Sequence, residues 1–436
     1  MSELQITLKE WESVGPGDEG QGSLLHGFRF EDAEDRSVAE ALTASQTIEF
    51  RELYNGLEIR ARSHVGRIKL GRLMLTIAPK IGTSELLTLF RYAYGLADLR
   101  RFRSANFATS GDLFQDLIIA QLYAEVQELL ERGIARAYLE VDEHLGAPRG
   151  RIDFVRLAKQ GTVSATLPCR HYPRSTDHLL NQVVLAGLDL AHRIAQEHTL
   201  AASVGRQRRF MGDLASRVSL SANLLAKADR SVNRLVAPYE FIIRLVEILY
   251  FGSFVEMESQ GQPQRLDGFL FDMNLFFQSL LQRFLSESLP GLQVDSQHGL
   301  TGMMRYVPGH NPRGRRSPQP RPDYAIRLRK QVLALLDAKY RDLWESPLPR
   351  DMLYQLSVYA LSQPKGSTAA ILYPTTANTA RPSLIEIREP STGMNAGYVA
   401  LRPVNVGHLA ELVEAEGSKG QAAREHTARQ LAGVAT

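Results

Sequence analysis

The sequence contains a single cysteine and no long apolar run. Cys169 alone excludes an internal disulfide and a cysteine-based zinc site, and it is typical of a protein from a reducing compartment. A membrane-spanning helix needs roughly 18 or more apolar residues in succession, and the sequence has no such stretch. The amino terminus, MSELQITLKEW, is charged and does not resemble a signal peptide. We therefore expect a cytoplasmic protein with no membrane contact and no thiol chemistry.

The chain also lacks a nucleotide-binding phosphate loop and a strong net charge. No GxxxxGK[ST] motif is present, and the glycine-rich residues 15–23, interpreted as an exposed loop, contain no lysine followed by a hydroxyl residue. The sequence therefore encodes no NTP-driven motor. Its net charge of +3 is too small to indicate nucleic-acid binding by itself, so local basic clusters have to decide that question.

At 436 residues the chain is long for one domain, and its hydrophobic pattern changes along its length. Period-two alternation predicts a β-rich domain over residues 1–105, and apolar spacings of three and four predict a helical connector over residues 106–259. Residues 260–404 form a strand and helix series, and residues 405–436 have the composition of a flexible tail. We expect a multidomain α+β protein with a C-terminal α/β core.

Charged residues end one predicted buried strand, VLALLDAKY. The unbroken apolar run before Asp337 is typical of a strand buried on both faces, and alternation places Asp337 and Lys339 on the same face. Asp323 begins the preceding strand, DYAIRLR, and a tight turn at residues 329–331 predicts antiparallel pairing of the two strands. That pairing brings Asp323 beside Asp337, so two carboxylates and one amine share a site.

The chemistry of this site indicates a bound metal ion. Two close carboxylates repel each other, and a divalent cation with oxygen ligands keeps both ionised. Mg²⁺ is the expected ion because it retains several waters, with Asp323 and Asp337 as its ligands. Lys339 can then position a water or neutralise charge that builds on a phosphate. The spacing alone leaves open a surface hairpin in which Asp and Lys form only a weak ion pair.

The arrangement resembles the core of the PD-(D/E)xK nuclease superfamily. Pro322 precedes Asp323, and the order PD…DxK lies on strands that are followed by an amphipathic helix. The resemblance implies a metal-dependent endodeoxyribonuclease. Gln355, in RDMLYQLSVYALS, matches the glutamine that many members place after the lysine strand, facing the site. Taken alone, Gln355 is equally compatible with a solvated helix residue.

Further stretches resemble the McrC family, the nuclease subunit of the McrBC 5-methylcytosine restriction system. They occur in the family's order from about Leu75 to Pro374: LTIAPKIG, ELLTLFRYAYGLADL, RGRIDF, STDHLLNQVVLAGL, FLFDMNLFFQSLL, RPDYAIRL, LLDAKYRDLW, DMLYQLSVYALS and AAILYP. The resemblance implies an Mg²⁺-dependent endonuclease that cuts modified DNA when assembled with an AAA+ GTPase. This partner, a McrB-like hexamer, would read the modified base and be stimulated by the chain.

One position departs from the family's pattern. Many relatives carry an acidic residue on the helix before the catalytic strands, where this chain has Gln278. A glutamine oxygen can ligate a metal or bind its water, but it supplies no charge. Asp272, six residues earlier, is an alternative acid, although its position is more typical of a helix N-cap.

A basic loop precedes the predicted site. Residues 310–321, called the arginine loop below, contain Arg313, Arg315, Arg316 and Arg321 together with three prolines. Arginine forks match phosphate oxygens, and prolines keep a loop extended, so we predict that these residues contact DNA. The alternative is a solvated insert without a ligand.

Residues 1–105 contain no convergent acidic pair, metal-ligand cluster or phosphate loop, so catalysis is not their expected role. Six basic residues at or near strand positions could present a basic surface to an acidic pore: Arg51, Arg60, Arg62, Arg67, Lys69 and Arg72. The alternative is that they solvate one face of a small sheet. In the McrC family this region resembles a stalk that enters the partner hexamer, which makes residues 1–105 the predicted partner-binding domain.

Two other functions remain open at the level of sequence. The chain could be a degenerate nuclease that acts only as an adaptor and activator of the partner NTPase; Gln278 favours this interpretation, whereas Asp323, Asp337 and Lys339 oppose it. It could also be a stand-alone DNA repair nuclease, which leaves the β-rich amino-terminal region unexplained. A neighbouring gene for an AAA+ GTPase supports the restriction endonuclease or the adaptor over the stand-alone repair nuclease.

Overall fold

A computed structural model of the chain describes residues 3–96, 114–159, 165–256, 263–364 and 367–434. Its contacts define two compact units, the first formed by residues 1–96 and 270–436 and the second by residues 97–269. The predicted domain boundaries at residues 105 and 259 lie outside the described residues. Among the helices in the described ranges, none combines the length and apolarity that crossing a bilayer requires.

The amino-terminal part of the first unit is built mainly from strands. Its elements are β1 (Leu4–Lys9), β2 (Ser13–Val14), α1 (Ala33–Ala44), β3 (Ile48–Leu53), β4 (Gly56–Ala61), β5 (His64–Leu70), β6 (Leu73–Ala78) and α2 (Thr83–Tyr94). β6 pairs in parallel with β1 and antiparallel with β5, while β4 lies between β2 and β3. The predicted loop at residues 15–23 runs into a short 3-10 helix, Gly20–Leu25, in which Leu25 is buried.

The second unit is largely helical. Its elements are α3 (Phe114–Arg132), β7 (Ala137–Tyr138), β8 (Val141–Leu145), β9 (Arg151–Ile152), α4 (Phe154–Lys159), β10 (Leu167–His171), β11 (Arg174–Ser175), α5 (Leu179–Ile194), α6 (His198–Gly212), α7 (Ala222–Ser231), α8 (Tyr239–Gly252), β12 (Phe254–Glu256) and β13 (Pro263–Arg265). Helix α5 packs against α6 and α8 because most of its apolar residues, from Leu180 to Ile194, face this core. The second unit also contains a small sheet, formed by β8, β9 and β10.

The carboxy-terminal part of the chain returns to the first unit within β14. Its elements are β14 (Asp267–Asp272), α9 (Met273–Ser288), β15 (Gln293–Ser296), β16 (Tyr324–Leu328), β17 (Gln331–Ala338), α10 (Arg350–Leu361), β18 (Thr368–Thr375), β19 (Ser383–Arg388), β20 (Asn395–Asn405), α11 (Val406–Glu414) and α12 (Gly417–Ala432). Six strands form one mixed sheet in the order β15-β16-β17-β18-β20-β19. β16 is antiparallel to both of its neighbours, β15 and β17, and β17, β18 and β20 are parallel.

The central strands of this sheet are buried because their sequences are almost wholly apolar. β17 reads QVLALLDA and β18 reads TAAILYPT, as expected for strands covered on both faces. α10 connects these parallel strands and packs on the sheet, where Leu356 and Tyr359 join Leu335 and Ile371 in one core cluster. The polar residues at the end of β17 therefore lie at the edge of a rigid, close-packed core.

The expectation of a flexible tail at residues 405–436 is corrected by the structure. This segment begins with the last residue of β20 and continues into α11 and α12. Asn405 caps α11 by accepting the N–H of His408 at 2.9 Å, and Arg424 of α12 donates to the carbonyl of Leu412 at 3.1 Å. The composition was misleading because α12 is rich in Ala, Gly and charged residues, and it buries only a narrow face that includes Leu431.

Candidate active site

The hairpin of β16 and β17 brings the two predicted acids together. The strands pair antiparallel with Tyr324 opposite Leu336, so Asp323 and Asp337 are next to each other at this end of the ladder. Only Arg329 and Lys330 separate the strands, and Arg329 adopts the left-handed conformation, with φ of 58°, that such a tight turn requires. The predicted antiparallel pairing across a tight turn is confirmed.

Asp323 is fixed by three hydrogen-bond donors. It is 7% exposed, and its Oδ2 accepts the backbone N–H of Ala338 at 2.8 Å and Nε2 of Gln278 at 3.2 Å. Its Oδ1 accepts Nε2 of Gln297 at 3.2 Å. These donors come from β17, from α9 and from the residue after β15, so three separate elements set the orientation of this carboxylate.

Asp337 is the more deeply buried acid, at 1% exposed. Nζ of Lys339 lies 2.8 Å from its Oδ2, yet among the described residues neither oxygen accepts a hydrogen bond of good geometry. The ion pair is therefore close but poorly aligned. Burial, and then repulsion from Asp323, raises the pKa of Asp337 to about 6. A buried carboxyl with unsatisfied oxygens is costly, and a bound ligand would remove that cost.

Lys339 lies directly after β17, on the same side as Asp337. Burial opposes the charge of its amine, but Asp337 and Asp323, with a smaller contribution from Asp351, outweigh burial and raise the pKa of Lys339. Its backbone N–H donates to the carbonyl of Leu372 on β18 at 3.0 Å. The site therefore contains a cationic amine beside two carboxyl groups at the end of the central strand.

Gln278 occupies the position at which the family pattern has an acid, and it serves Asp323. Its Nε2 donates to Asp323, so the amide nitrogen rather than the oxygen faces the carboxylate. Asp272 is the N-cap of α9 and accepts the N–H of Asn274 at 2.8 Å, which favours its structural interpretation. Gln278 thus orients a site residue without adding negative charge.

Gln355 reaches the site through a tyrosine. Its Nε2 donates to the hydroxyl of Tyr359 at 2.7 Å, and that hydroxyl donates to the carbonyl of Arg321 at 3.0 Å. Burial, followed by the charges of Asp337 and Asp323, raises the pKa of Tyr359 to about 12. Gln355 therefore contacts a residue beside the two acids and connects α10 to the end of the arginine loop.

Gln297 was not predicted as a site residue. It follows β15, and besides its side-chain hydrogen bond its backbone N–H donates to the carbonyl of Asp323 at 2.9 Å. The antiparallel register of β15 and β16, with Ser296 opposite Tyr324, places it there. The sequence carries no signal for this residue, because the four residues of β15, QVDS, are too few for a periodic pattern.

The arginine loop presents its side chains to solvent. Arg313, Arg315, Arg316 and Arg321 are all exposed, and none forms an ion pair within the described part of the chain. The base of the loop is fixed, since the N–H of Leu300 donates to the carbonyl of Pro320 at 2.9 Å. Four exposed guanidinium groups thus lie in the segment that leads into Asp323.

The donor set suits Mg²⁺, which keeps water ligands, better than a metal ion whose ligands all come from the protein. Across the described ranges, no group of three or more His, Cys, Asp or Glu is placed to hold a metal ion. Asp323 and Asp337 supply two carboxylates, and Asp337 has oxygens that lack hydrogen bonds. Mg²⁺ is commonly bound by one or two carboxylates and completes its shell with water and substrate oxygens, whereas a structural zinc site requires four protein ligands.

The basic residues of the amino-terminal strands have acidic neighbours. Glu49 forms ion pairs with Arg51, Arg60 and Arg62, and Glu3 forms an ion pair with Lys69. These ion pairs favour the interpretation in which the basic residues solvate one face of a small sheet. The pattern of charges alone therefore gives no support to a basic surface for a partner.

The mixed sheet, with a buried acid pair and a lysine at one strand end, gives the first unit an α/β part with a candidate active site. The chain belongs to the family described as McrBC 5-methylcytosine restriction system component, whose model matches residues 59–374. The resemblance inferred from the sequence is thereby confirmed. A comparison with curated proteins gives no match.

Two solved structures from Thermococcus gammatolerans are similar to this chain. The first is a half-complex from a tetradecameric assembly of McrB AAA+ hexamers with bound McrC. The match has a TM-score of 0.59 and 20% identity over 98% of this chain and 100% of that chain. The second, a cryo-EM structure of the McrBC complex, has a TM-score of 0.45 and 19% identity over 64% of this chain and 87% of that chain. At this identity the first likeness shows a shared fold.

Proposed function

We propose that the chain is the Mg²⁺-dependent DNA endonuclease subunit of a modification-dependent restriction system. The observation that carries the proposal is the buried pair of Asp323 and Asp337 with Lys339 at the end of β17. This arrangement, on a hairpin followed by α10, matches the PD-(D/E)xK pattern in order and in spacing. The family membership supplies the restriction context, and the residues of the site supply the chemistry.

Each residue of the site has a role in phosphodiester hydrolysis. Asp323 and Asp337 would hold the metal ion, and the ion supplies Lewis-acid polarisation of the phosphate and a water of lowered pKa. Gln278 and Gln297 keep the carboxylate of Asp323 oriented toward the site. The charged amine of Lys339 neutralises negative charge that builds on the phosphate in the transition state.

The arginine loop gives this site a surface for DNA. Its exposed guanidinium groups can bind backbone phosphates in bidentate fashion, without regard to base sequence. Arg321 is closest along the chain to Asp323, and its carbonyl is held by Tyr359. DNA bound to this loop would be held next to the segment that leads into Asp323, which fits a nuclease whose sequence or modification preference is supplied by another protein.

The partner is proposed to be an AAA+ GTPase of the McrB type, assembled as a hexamer, which reads the modified base. The relative with the shared fold is McrC bound to McrB AAA+ hexamers. The family resemblance supports residues 1–105 as the proposed partner-binding region. The ion pairs around Glu49 give this role no additional support. The chain would stimulate the partner's hydrolysis as well as cut DNA.

The test is cleavage of methylated DNA by the purified chain, its AAA+ partner, GTP and Mg²⁺. Replacing Asp337 by Asn keeps the shape of the side chain but removes the charge needed to bind the ion. We expect the cleavage rate of Asp337→Asn to fall by at least about a thousandfold, as for loss of a principal electrostatic group. Folding and partner binding should be unchanged.

The matched control is Asp295→Asn, which removes an acid of the same sheet that pairs with Arg327 at 2.7 Å. This variant should cut DNA at close to the rate of the wild type. Equal rates for Asp337→Asn and the wild type would contradict the assignment of the site. A wild type that stimulates the partner but never cuts DNA would favour the adaptor function. This function is the second candidate because Gln278 adds no charge and the donor set has only two carboxylates.

A further inference from the structure

Tyr340 links the lysine end of the site to the amino-terminal part of the first unit. It directly follows Lys339, and its hydroxyl donates to Oε1 of Glu10 at 3.3 Å. Its ring packs edge-on against Phe277, with centroids 5.9 Å apart. Tyr340 is 3% exposed and Glu10 is 1% exposed, so this hydrogen bond is shielded from solvent.

The backbone of Tyr340 is tied to the same part of the chain. Its N–H donates to Oδ1 of Asn274 at 3.3 Å, and Nδ2 of Asn274 donates to Oγ of Ser63 at 2.5 Å. The carbonyl of Ser63 accepts the N–H of Met273 at 2.9 Å, which fixes the start of α9 as well. Residue 340 is therefore tied to residues 3–96 directly through its side chain and, by way of Asn274, through its main chain.

This anchor matters because Lys339 lies beyond the end of β17. The strand ends at Ala338, and the backbone N–H of Lys339 makes one further bond to β18. The position of the amine, 2.8 Å from Asp337, thus depends on where residue 340 is held. In enzymes a misplacement of about 1 Å can cost about a hundredfold in rate.

We propose that Glu10 and Tyr340 are positioning residues that hold Lys339 beside Asp337. The inference rests on the proposed nuclease function and extends it: the amino-terminal part of the first unit contributes to catalysis without contacting DNA at the site. Glu10 accepts the tyrosine hydroxyl, Phe277 supports the ring, and the main chain of residue 340 then fixes the preceding lysine.

The first variant is Tyr340→Phe, which removes one hydroxyl and keeps the ring against Phe277. We expect kcat for DNA cleavage to fall about tenfold while KM for DNA is unchanged, because the arginine loop is untouched and only transition-state stabilisation is reduced. Glu10→Gln retains an acceptor and should keep kcat within about twofold of the wild type. Glu10→Ala should lower kcat as much as Tyr340→Phe does.

A double-mutant cycle separates positioning from loss of stability. If the two residues act through one hydrogen bond, the double variant Glu10→Ala with Tyr340→Phe should have the same kcat as the slower of the two single variants. The matched control is Tyr239→Phe in the second unit, which removes a buried hydroxyl bonded to Asn181 at 2.6 Å. It should lower the Tm without changing kcat of the folded protein.

The outcomes of this experiment are distinguishable. Unchanged kcat in Tyr340→Phe, or reductions that multiply in the double variant, overturn the positioning role and leave the nuclease function standing. A wild type that does not cut DNA overturns the proposed function and this inference with it. The Glu10 variants alter the same hydrogen bond from the other side, so the result does not depend on the folding of one variant.

Discussion

At the scale of single residues, two carboxyl groups of the first unit lie almost fully out of water. Burial is the largest cause that raises the pKa of Asp337 to about 6 and that of Glu10 to about 8. Perturbed acids of this kind are common at functional sites, where a ligand offsets the cost of burying a charge. Asp337 belongs to the proposed metal site, whereas Glu10 is bonded to Tyr340 and faces Lys80.

The buried acid Glu10 makes stability depend on pH. Its pKa is about 8 in the folded protein and about 4.5 ordinarily, so ionising Glu10 lowers the free energy of unfolding. This loss of stability is absent below pH 4.5, grows between pH 4.5 and 8, and is complete above pH 8. We expect Glu10→Gln to be more stable than the wild type above pH 8, by at most about 5 kcal/mol at about 1.4 kcal/mol per unit. Urea unfolding across this range measures the difference, and a difference that stays constant with pH would disprove the account.

At the scale of elements, the β16–β17 hairpin could be predicted because its signals are local. A continuous apolar run, a short polar turn and charges at the strand end all lie within residues 323–339. Gln297 could not be predicted, since its hydrogen bond to Asp323 depends on a short strand and a long intervening loop. The sequence does not predict α12, because Leu431 is its one large apolar residue and no apolar periodicity indicates a packed helix.

The exposed arginines of the arginine loop are expected to bind the phosphate backbone of DNA. Replacing Arg313, Arg315 and Arg316 by Ala should weaken DNA binding to the same extent for all sequences. It should also reduce the slope of log affinity against log salt by up to about 3, since the slope changes by about 0.9 for each phosphate that the protein neutralises. Binding is measured over a salt series without divalent ions, so that the DNA stays uncut.

An equal reduction of charge elsewhere provides the control for the loop. The second unit contains three exposed arginines, Arg209, Arg217 and Arg230. Their replacement by Ala removes an equal number of positive charges. This control should change the salt slope by less than the loop variant does. If the two triple variants give the same slope, the loop is a solvated insert and contributes only to net charge.

At the scale of the whole molecule, the order of segments along the chain does not reveal how they group. Residues 1–96 belong with residues 270–436 in one unit, although they were expected to form a separate domain. Only long-range contacts such as that of Glu10 with Tyr340 establish this, and no local pattern encodes them. In the proposed positioning role, Glu10 therefore supports an active site that is formed by residues 278–359.

The central claim is that Asp323 and Asp337 together bind the divalent ion that the nuclease uses. The direct measurement is the anomalous scattering of Mn²⁺, as a stand-in for Mg²⁺, in crystals of the wild type and of Asp337→Asn grown with the ion. We expect a Mn²⁺ peak bound by both carboxylates, at about 2.1 Å from their oxygens, and its disappearance in Asp337→Asn. Wild-type crystals saturated with Mn²⁺ that show no peak at these carboxylates would contradict it.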